Sequence, residues 1–145
     1  MREPAHANSF RDLIVYQKTK EAAKAIFQIT KSFPKDEMYS LTSQVRRSSR
    51  SIGAQIAEAW AKRRFEKHFI SKLTDADAEA QETEHWIDTA EDCGYISSFK
   101  VSEINGVLSE IGRMLNSMIN KADLFCGTNS YTVRESTSEY FAARK

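Results

Sequence analysis

The chain has 145 residues, with 21 lysine and arginine residues against 20 aspartate and glutamate residues, so its formal net charge is only +1. This is the length of one domain, and 41% apolar with 28% charged residues is typical of a folded chain, which excludes an intrinsically disordered one. The near-zero charge excludes nucleic-acid binding driven by overall charge, although it leaves local basic surfaces open.

Three features of the sequence indicate a cytoplasmic protein without a membrane span. No stretch of 18 uncharged apolar residues occurs. The N-terminal MREPAHANSF lacks the apolar run of a signal peptide. The two cysteines, Cys93 and Cys126, match no metal-ligand spacing and are typical of a reducing compartment.

Residues that break helices are rare. The chain has five glycines and two prolines, and the last proline is Pro34, so 111 residues follow without one. Alternating runs of β-branched residues are also missing. These features predict an all-α fold.

The first predicted helix covers residues 12–33, and the second begins at residue 37 or 41 and ends at residue 61. Pro34 ends the first helix because the residue before a proline is biased away from helical geometry. Apolar residues recur at three- and four-residue spacing in both, which lines one helix face. These stripes are Val15, Ala22, Ile26, Ile29 and Phe33, then Leu41, Val45, Ser48, Ile52, Ile56 and Ala59.

The third predicted helix covers residues 65–93, with Gly94 as its left-handed C-cap. The fourth begins after Ser98, which is predicted to be its N-cap, and continues to residue 125. Its alternating three- and four-residue spacing is a heptad seam of the kind found in packed bundles. The two stripes are Phe65, Phe69, Leu73, Ala76, Ala80, Thr83, Ile87 and Ala90, then Val101, Ile104, Leu108, Ile111, Leu115, Met118, Ala122 and Phe125.

Short connections predict an antiparallel, up-down-up-down four-helix bundle over residues 10–126. Residues 1–9 are expected to form a flexible N-terminus. Residues 127–145 are polar, rich in Ser and Thr, and lack an apolar stripe. We therefore expect a flexible or disordered C-terminal tail there.

Charges are segregated along the chain. Between residues 46 and 72 there are eight basic residues and two acidic ones, whereas residues 74–92 hold eight acids and no lysine or arginine. The third helix is thus basic at its start and acidic towards its end, which is the arrangement that the helix dipole disfavours. The stability of an isolated helix therefore does not explain this pattern.

Two interpretations of the basic segment are open. In the first, the basic segment binds the phosphates of RNA or DNA. Two observations support this interpretation: Arg46 and Arg50 share a helix face, and residues 62–64 concentrate charge at the next helix junction. In the second, its cations pair with acids of the third helix within or between subunits, as in a protein-interaction scaffold. The residues assigned to the nucleic-acid surface are Arg46, Arg47, Arg50, Lys62, Arg63, Arg64 and Lys67.

No catalytic constellation is predicted, so we expect a protein that is not an enzyme and needs no cofactor. Glu82 and His85 form one Glu-x-x-His motif, but di-iron bundles use two such motifs. No glycine-rich phosphate loop occurs. Apolar residues outside the main stripes, such as Ile70 and Trp86, instead predict an oligomer interface.

A set of short motifs is distributed from residue 10 to residue 125. The motifs are Phe10-Arg11-Asp12-Leu13, Val15-Tyr16, Phe33-Pro34, Tyr39-Ser40-Leu41-Thr42, Gln44-Val45-Arg46-Arg47-Ser48, Ser51-Ile52, Ile56-Ala57-Glu58, Phe69, Glu82-Thr83, Trp86, Gly94-Tyr95-Ile96 and Arg113-Met114-Leu115. On these motifs the chain resembles the four-helix-bundle proteins encoded in intervening sequences of bacterial 23S rRNA genes. Gln55 and Ala59 depart from the Asn and Gly usual in that family.

The resemblance implies an antiparallel four-helix bundle that assembles as a ring-like homopentamer. It also implies a distant relation to the accessory proteins of diversity-generating retroelements, which bind nucleic acid and a reverse transcriptase. Arg46 and Arg47 match basic positions of the family, and the other assigned cations join them by proximity. The expected partners are therefore further copies of this chain, RNA or DNA, and a reverse transcriptase.

Overall fold

The computed structural model describes residues 8–127 and 138–142. Four α-helices make up most of these ranges, and no β-strand occurs within them, which confirms the predicted all-helical class. None of the helices in the described ranges is long and apolar enough to cross a membrane. The helices are α1 (Ile14–Thr30), α2 (Leu41–Ala61), α3 (Glu66–Asp92) and α4 (Ser98–Asn120).

The ends of α3 and α4 follow local sequence signals. Gly94 has a φ of 77°, and its N–H donates to the Glu91 carbonyl at 2.9 Å, while the Tyr95 N–H donates to the Ala90 carbonyl at 2.9 Å. These two bonds form a Schellman cap, which confirms the role predicted for the glycine. The N-cap of α4 is Ser97 rather than the predicted Ser98, because the Ser97 hydroxyl is the group that accepts the Lys100 N–H.

The predicted apolar stripes form the core. Every stripe residue of α2 and of α4 is buried, and so is every stripe residue of α3 except Phe65. Phe65 is 59% exposed because it precedes the first turn of α3 as its N-cap, with extended backbone geometry. The prediction that Phe65 lies in the core is therefore wrong.

Consecutive helices contact each other, and α1 also contacts α4. Lys18 on α1 pairs with Glu110 on α4 at 3.1 Å. In each consecutive pair of helices the contacts run in opposite order, because a residue further along the first helix meets a residue nearer the start of the second. The pairs are Thr19 with Gly53 and Thr30 with Arg46, Ser48 with Thr83 and Glu58 with Lys72, and Asp77 with Gly112 and Glu84 with Ser109.

Residues 138–142 pack against the bundle, which departs from the flexible tail expected over residues 127–145. Tyr140 and Phe141 are only 5% and 1% exposed. Phe141 pairs with Leu13 in an isolated antiparallel bridge, and the Ala142 N–H donates to the Asp12 carbonyl at 2.7 Å. Two large aromatic side chains bury enough surface to order a short segment that has no helical stripe. Residues 1–7, 128–137 and 143–145 lie outside the described residues.

Candidate nucleic-acid interface

The seven cations assigned from the sequence lie in three places. Arg46 and Arg50 face α1, because residues four apart share a helix face, whereas Arg47 is rotated by about 100° and faces α3. The remaining four lie at the turn between α2 and α3, roughly 18 Å along the helix from Arg50 to Lys62. The structure therefore brings Arg46 and Arg50 together, and separates them from Arg47 and from Lys62, Arg63, Arg64 and Lys67.

Three cations surround the ring of Phe27. The guanidinium carbons of Arg46 and Arg50 lie 4.7 and 5.3 Å from the ring centroid, and Lys31 Nζ lies 5.0 Å from it. Arg46 Nε also donates to Thr30 Oγ1 at 2.7 Å. Within the described ranges, none of the three cations forms an ion pair within 4.0 Å. We call Phe27, Lys31, Arg46 and Arg50 the Phe27 cluster.

A groove of about 860 Å³ runs between α1 and α2 beside this cluster. Its rim carries Lys20, Lys24 and Arg50, and the acid in its lining is Glu21. Phe10, Tyr16 and Phe27 contribute aromatic surface to its walls. We call this feature the α1–α2 groove, and its lining combines positive charge with half-buried aromatic rings.

Gly53 sets how closely the two helices approach in the groove. A Cβ at this position would lie 3.1 Å from Thr19 Oγ1 and 3.4 Å from Tyr16 Cε1. The hydroxyl of Thr19 is fixed, because the side chain is buried and donates to the Tyr16 carbonyl at 2.6 Å. The glycine therefore allows Tyr16 to pack directly on the backbone of α2.

The contribution of α1 to this surface was missed in the sequence. Lys20, Lys24, Phe27 and Lys31 follow one another at spacings of four, three and four residues, which places them on one helix face. On α2, Arg46 and Arg50 are four residues apart, so they also share one helix face, and this face meets the basic face of α1. The signal was present in the sequence, but it becomes visible only when charge is counted by helix face instead of along the chain.

Arg47 is engaged by acids of α3. Its guanidinium contacts Glu79 Oε2 at 3.3 Å and also pairs with Glu82. The hydrogen bond with Glu82 raises the pKa of the Arg47 guanidinium. A hydrogen bond from Trp86 Nε1, at 3.0 Å, and the contact with Arg47 lower the pKa of the Glu82 carboxyl. Arg47 therefore joins α2 to α3.

Exposed cations flank an exposed aromatic ring at the turn between α2 and α3. Lys62, Arg64 and Lys67 are exposed, as is Phe65, and in the described part of the chain these three cations form no ion pair. We call these four residues the turn cluster. Arg63 differs from them, because its guanidinium lies 3.8 Å from the ring centroid of Trp60 and donates to the Trp60 carbonyl at 3.0 Å. Burial lowers the pKa of the Arg63 guanidinium.

Four acids of α3 contact the neighbouring helices: Glu79 and Glu82 pair with α2, and Glu84 and Asp88 accept hydrogen bonds from α4. Glu84 and Asp77 line a second pocket, of about 660 Å³, between α3 and α4, and burial raises the pKa of the Glu84 carboxyl. The carboxylate of Glu82, from the Glu-x-x-His motif, is engaged by Arg47 and Trp86. Among the residues that the structure describes, no three His, Cys, Asp or Glu side chains are grouped as metal ligands.

Comparisons with known proteins agree with this architecture. The chain is similar to a protein with unknown function from the S23 ribosomal protein family from Bacteroides thetaiotaomicron VPI-5482, solved by crystallography at 1.70 Å. The two are 33% identical with a TM-score of 0.67, over 74% of this chain and 96% of that chain. A search of curated proteins found no match. The family model of the 23S rRNA-intervening sequence protein matches residues 11–117. The chain therefore belongs to the 23S rRNA-intervening sequence protein family.

Proposed function

We propose that this protein is a non-enzymatic, self-associating helical bundle that binds RNA or other nucleic acid through a basic surface. The observation that carries the proposal is the Phe27 cluster, in which two helices hold three cations together without a carboxylate at ion-pair distance in the described ranges. Like charges held this closely repel each other, so a bound phosphate stabilises the arrangement. Contacts to phosphate supply most of the affinity of basic surfaces for nucleic acid.

The turn cluster extends the proposed surface. Lys62, Arg64 and Lys67 are exposed and unpaired among the described residues, and Phe65 presents an exposed ring between them. Basic residues interleaved with an exposed aromatic ring are typical of surfaces that contact nucleic-acid backbones and bases. Arg47 contributes least, because two carboxylates occupy its guanidinium.

The assembly is part of the same proposal. We propose an antiparallel, up-down-up-down bundle, supported by the opposite order of the contacts along each pair of consecutive helices. We also propose a ring-like homopentamer in the cytoplasm, as the resemblance to the family implies. Tyr39 and Phe99, which are 95% and 76% exposed, support self-association, because large exposed apolar side chains are typical of interfaces. Light scattering should give a mass five times the 16.5 kDa of one chain. The mass of a single chain at micromolar concentration would contradict the assembly.

A protein-interaction scaffold is the second candidate function, and the pairing of Arg47 with Glu79 and Glu82 favours it. If the other cations of α2 meet carboxylates of a neighbouring subunit in the same way, they are not free for phosphate. A reverse transcriptase is a proposed partner in this case, from the distant resemblance to retroelement accessory proteins.

A salt titration separates the two candidates. The fluorescence anisotropy of a labelled RNA oligonucleotide is measured with increasing protein at about 50 mM and 200 mM salt. Three phosphate contacts to a single strand predict an affinity about 20-fold lower at the higher salt concentration. If no binding is detectable at the lower salt concentration, nucleic-acid binding is wrong and the scaffold is favoured.

A further inference from the structure

We infer that the α1–α2 groove is a binding site for single-stranded nucleic acid, which places phosphates at the Phe27 cluster and unpaired bases against Phe10 and Tyr16. This inference rests on the proposed function, because it names the ligand class and the location of the nucleic-acid site. Three separate features of the groove support this inference: its charge, its shape and its aromatic surface.

The charge of the groove suits a polyanion. Lys20, Lys24 and Arg50 line it, and Lys31 and Arg46 adjoin it at the Phe27 ring. Glu21 is the acid in the lining, so positive charge is in clear excess. Within the described ranges no ion pair engages any of these five cations. A strand of phosphates provides the compensating charge at regular intervals.

The shape of the groove suits a single strand. Proteins contact duplexes across the grooves of the double helix, entering the major groove of DNA or spanning the shallow minor groove of RNA, whereas single strands lie in basic grooves of the protein. The axes of packed helices are about 8–10 Å apart, and Gly53 keeps α1 and α2 in close contact here. The volume of about 860 Å³ limits the site to a short stretch of strand.

Aromatic surface lies where bases would stack. The rings of Phe10 and Tyr16 meet edge to face with centroids 4.9 Å apart, and both side chains are half-buried. Tyr16 is held in place against Gly53. Exposed aromatic faces bind unpaired bases without sequence preference, whereas the bases of a duplex are stacked on each other and are not available. Cations contact two of the three rings: the guanidinium carbon of Arg11 lies 4.5 Å from the Phe10 centroid, and three cations surround Phe27. In the part of the chain that the structure describes, the ring of Tyr16 has no cation contact.

The test compares one labelled RNA oligonucleotide as a single strand and as an annealed duplex, by anisotropy at about 50 mM salt. The groove variant is Lys24→Gln/Arg50→Gln, and the control variant Lys100→Gln/Arg113→Gln removes the same charge from α4. We expect tighter binding of the single strand, weakened about tenfold by the groove variant and little by the control. The molar mass of both variants is measured by light scattering.

Each other outcome overturns the inference in a distinguishable way. If the wild-type protein binds neither RNA, the proposed function fails together with the inference. If the duplex binds as tightly as the single strand, or the groove variant behaves like the control, the inference fails and the turn cluster becomes the site. If the groove variant changes the molar mass while the control does not, a second copy of the chain covers the groove.

Photo-cross-linking locates the bases directly. An oligonucleotide that carries a photoreactive uracil is irradiated in complex with the wild-type protein, and the cross-linked residues are identified by mass spectrometry. We expect cross-links at Phe10 or Tyr16. Cross-links confined to Phe65 would place the bases at the turn cluster and overturn the assignment to the groove.

Discussion

Arg46 and Arg47 are consecutive in the sequence, yet the two sides of α2 hold them in opposite electrostatic environments. Towards α3, Arg47 meets the carboxylates of Glu79 and Glu82. Towards α1, Arg46 and Arg50 meet the ring of Phe27, and within the described ranges no carboxylate lies at ion-pair distance. One run of basic residues therefore supplies both a structural contact and a surface free to bind a ligand.

This difference follows from helix geometry. A rotation of about 100° per residue separates neighbours in sequence onto different faces, while residues four apart stay together. The paired side joins α2 to α3, and we propose that the unpaired side binds a ligand. The two sides of α2 should therefore differ in their effects on RNA affinity and on stability.

The largest expected effect concerns RNA affinity. The variant Arg46→Glu/Arg50→Glu reverses charge on the unpaired side, and we expect RNA affinity to fall about a hundredfold or more at low salt. Arg47→Gln alters the paired side, and we expect a change of about threefold or less, because this guanidinium is already neutralised. Anisotropy titrations measure both. Equal losses in the two variants would remove the distinction between the sides.

Stability should show the opposite order. Replacing Arg47 with Met removes a contact to two carboxylates, and we expect a loss of about 1 kcal/mol of unfolding free energy, since the pair is largely exposed. Replacing Arg50 with Met should change stability by less than about 0.5 kcal/mol, because no ion pair is lost and weaker repulsion from Arg46 and Lys31 offsets the lost contact with Phe27. Urea denaturation of both variants measures this. An Arg50→Met variant less stable than Arg47→Met would contradict the assignment of roles.

The contribution of Arg47 should also depend on pH. The pKa of Glu82 is lowered in the folded state, so the carboxylate contributes stability above its unfolded pKa of about 4.3, and this stability is lost as the pH falls through the folded pKa. The hydrogen bond from Trp86 is the larger cause of the lowering, and Arg47 adds to it. The difference in stability between wild type and Arg47→Met should therefore shrink between pH 7 and pH 3. A difference that stays constant would show that Arg47 acts through packing alone.

A smaller effect tests the close approach of α1 and α2. A methyl group added at Gly106 would have open space within 4 Å, so Gly106→Ala should stabilise α4 by up to about 1 kcal/mol through helix propensity alone. Gly53→Ala gains the same propensity but meets the fixed hydroxyl of Thr19. We expect no gain, or a loss, in the thermal stability of this variant. Equal stabilisation of both variants would mean that the helices have room to separate at the groove.

Much of the fold could be predicted from periodicity. The α4 stripe from Val101 to Phe125 is buried throughout, and Gly94 caps α3 as expected. Phe65 could not be assigned by spacing, because a residue that precedes the first helical turn leaves the stripe. Tyr140 and Phe141 were missed for a related reason, since a single 3-10 turn and one bridge residue are too short to have a detectable period.

The candidate site was harder to predict than the core. The sequence identified Arg46 and Arg50, but it grouped them with Arg47, which points to α3. The lysines of α1 were overlooked, because charge was counted along the chain and not by helix face, and they meet Arg50 only when the two helices pack. A surface built from two elements is a tertiary property, and neither helix displays it alone.

The central claim is that the unpaired side of α2 contacts phosphates, and the salt dependence of RNA binding tests this claim most directly. The logarithm of the binding constant is plotted against that of the salt concentration for wild type and for Lys24→Gln/Arg50→Gln. Each phosphate contact to a single strand contributes about 0.7 to the slope, so the account predicts a slope shallower by about 1.4 in the variant. The same slope in both proteins would contradict it.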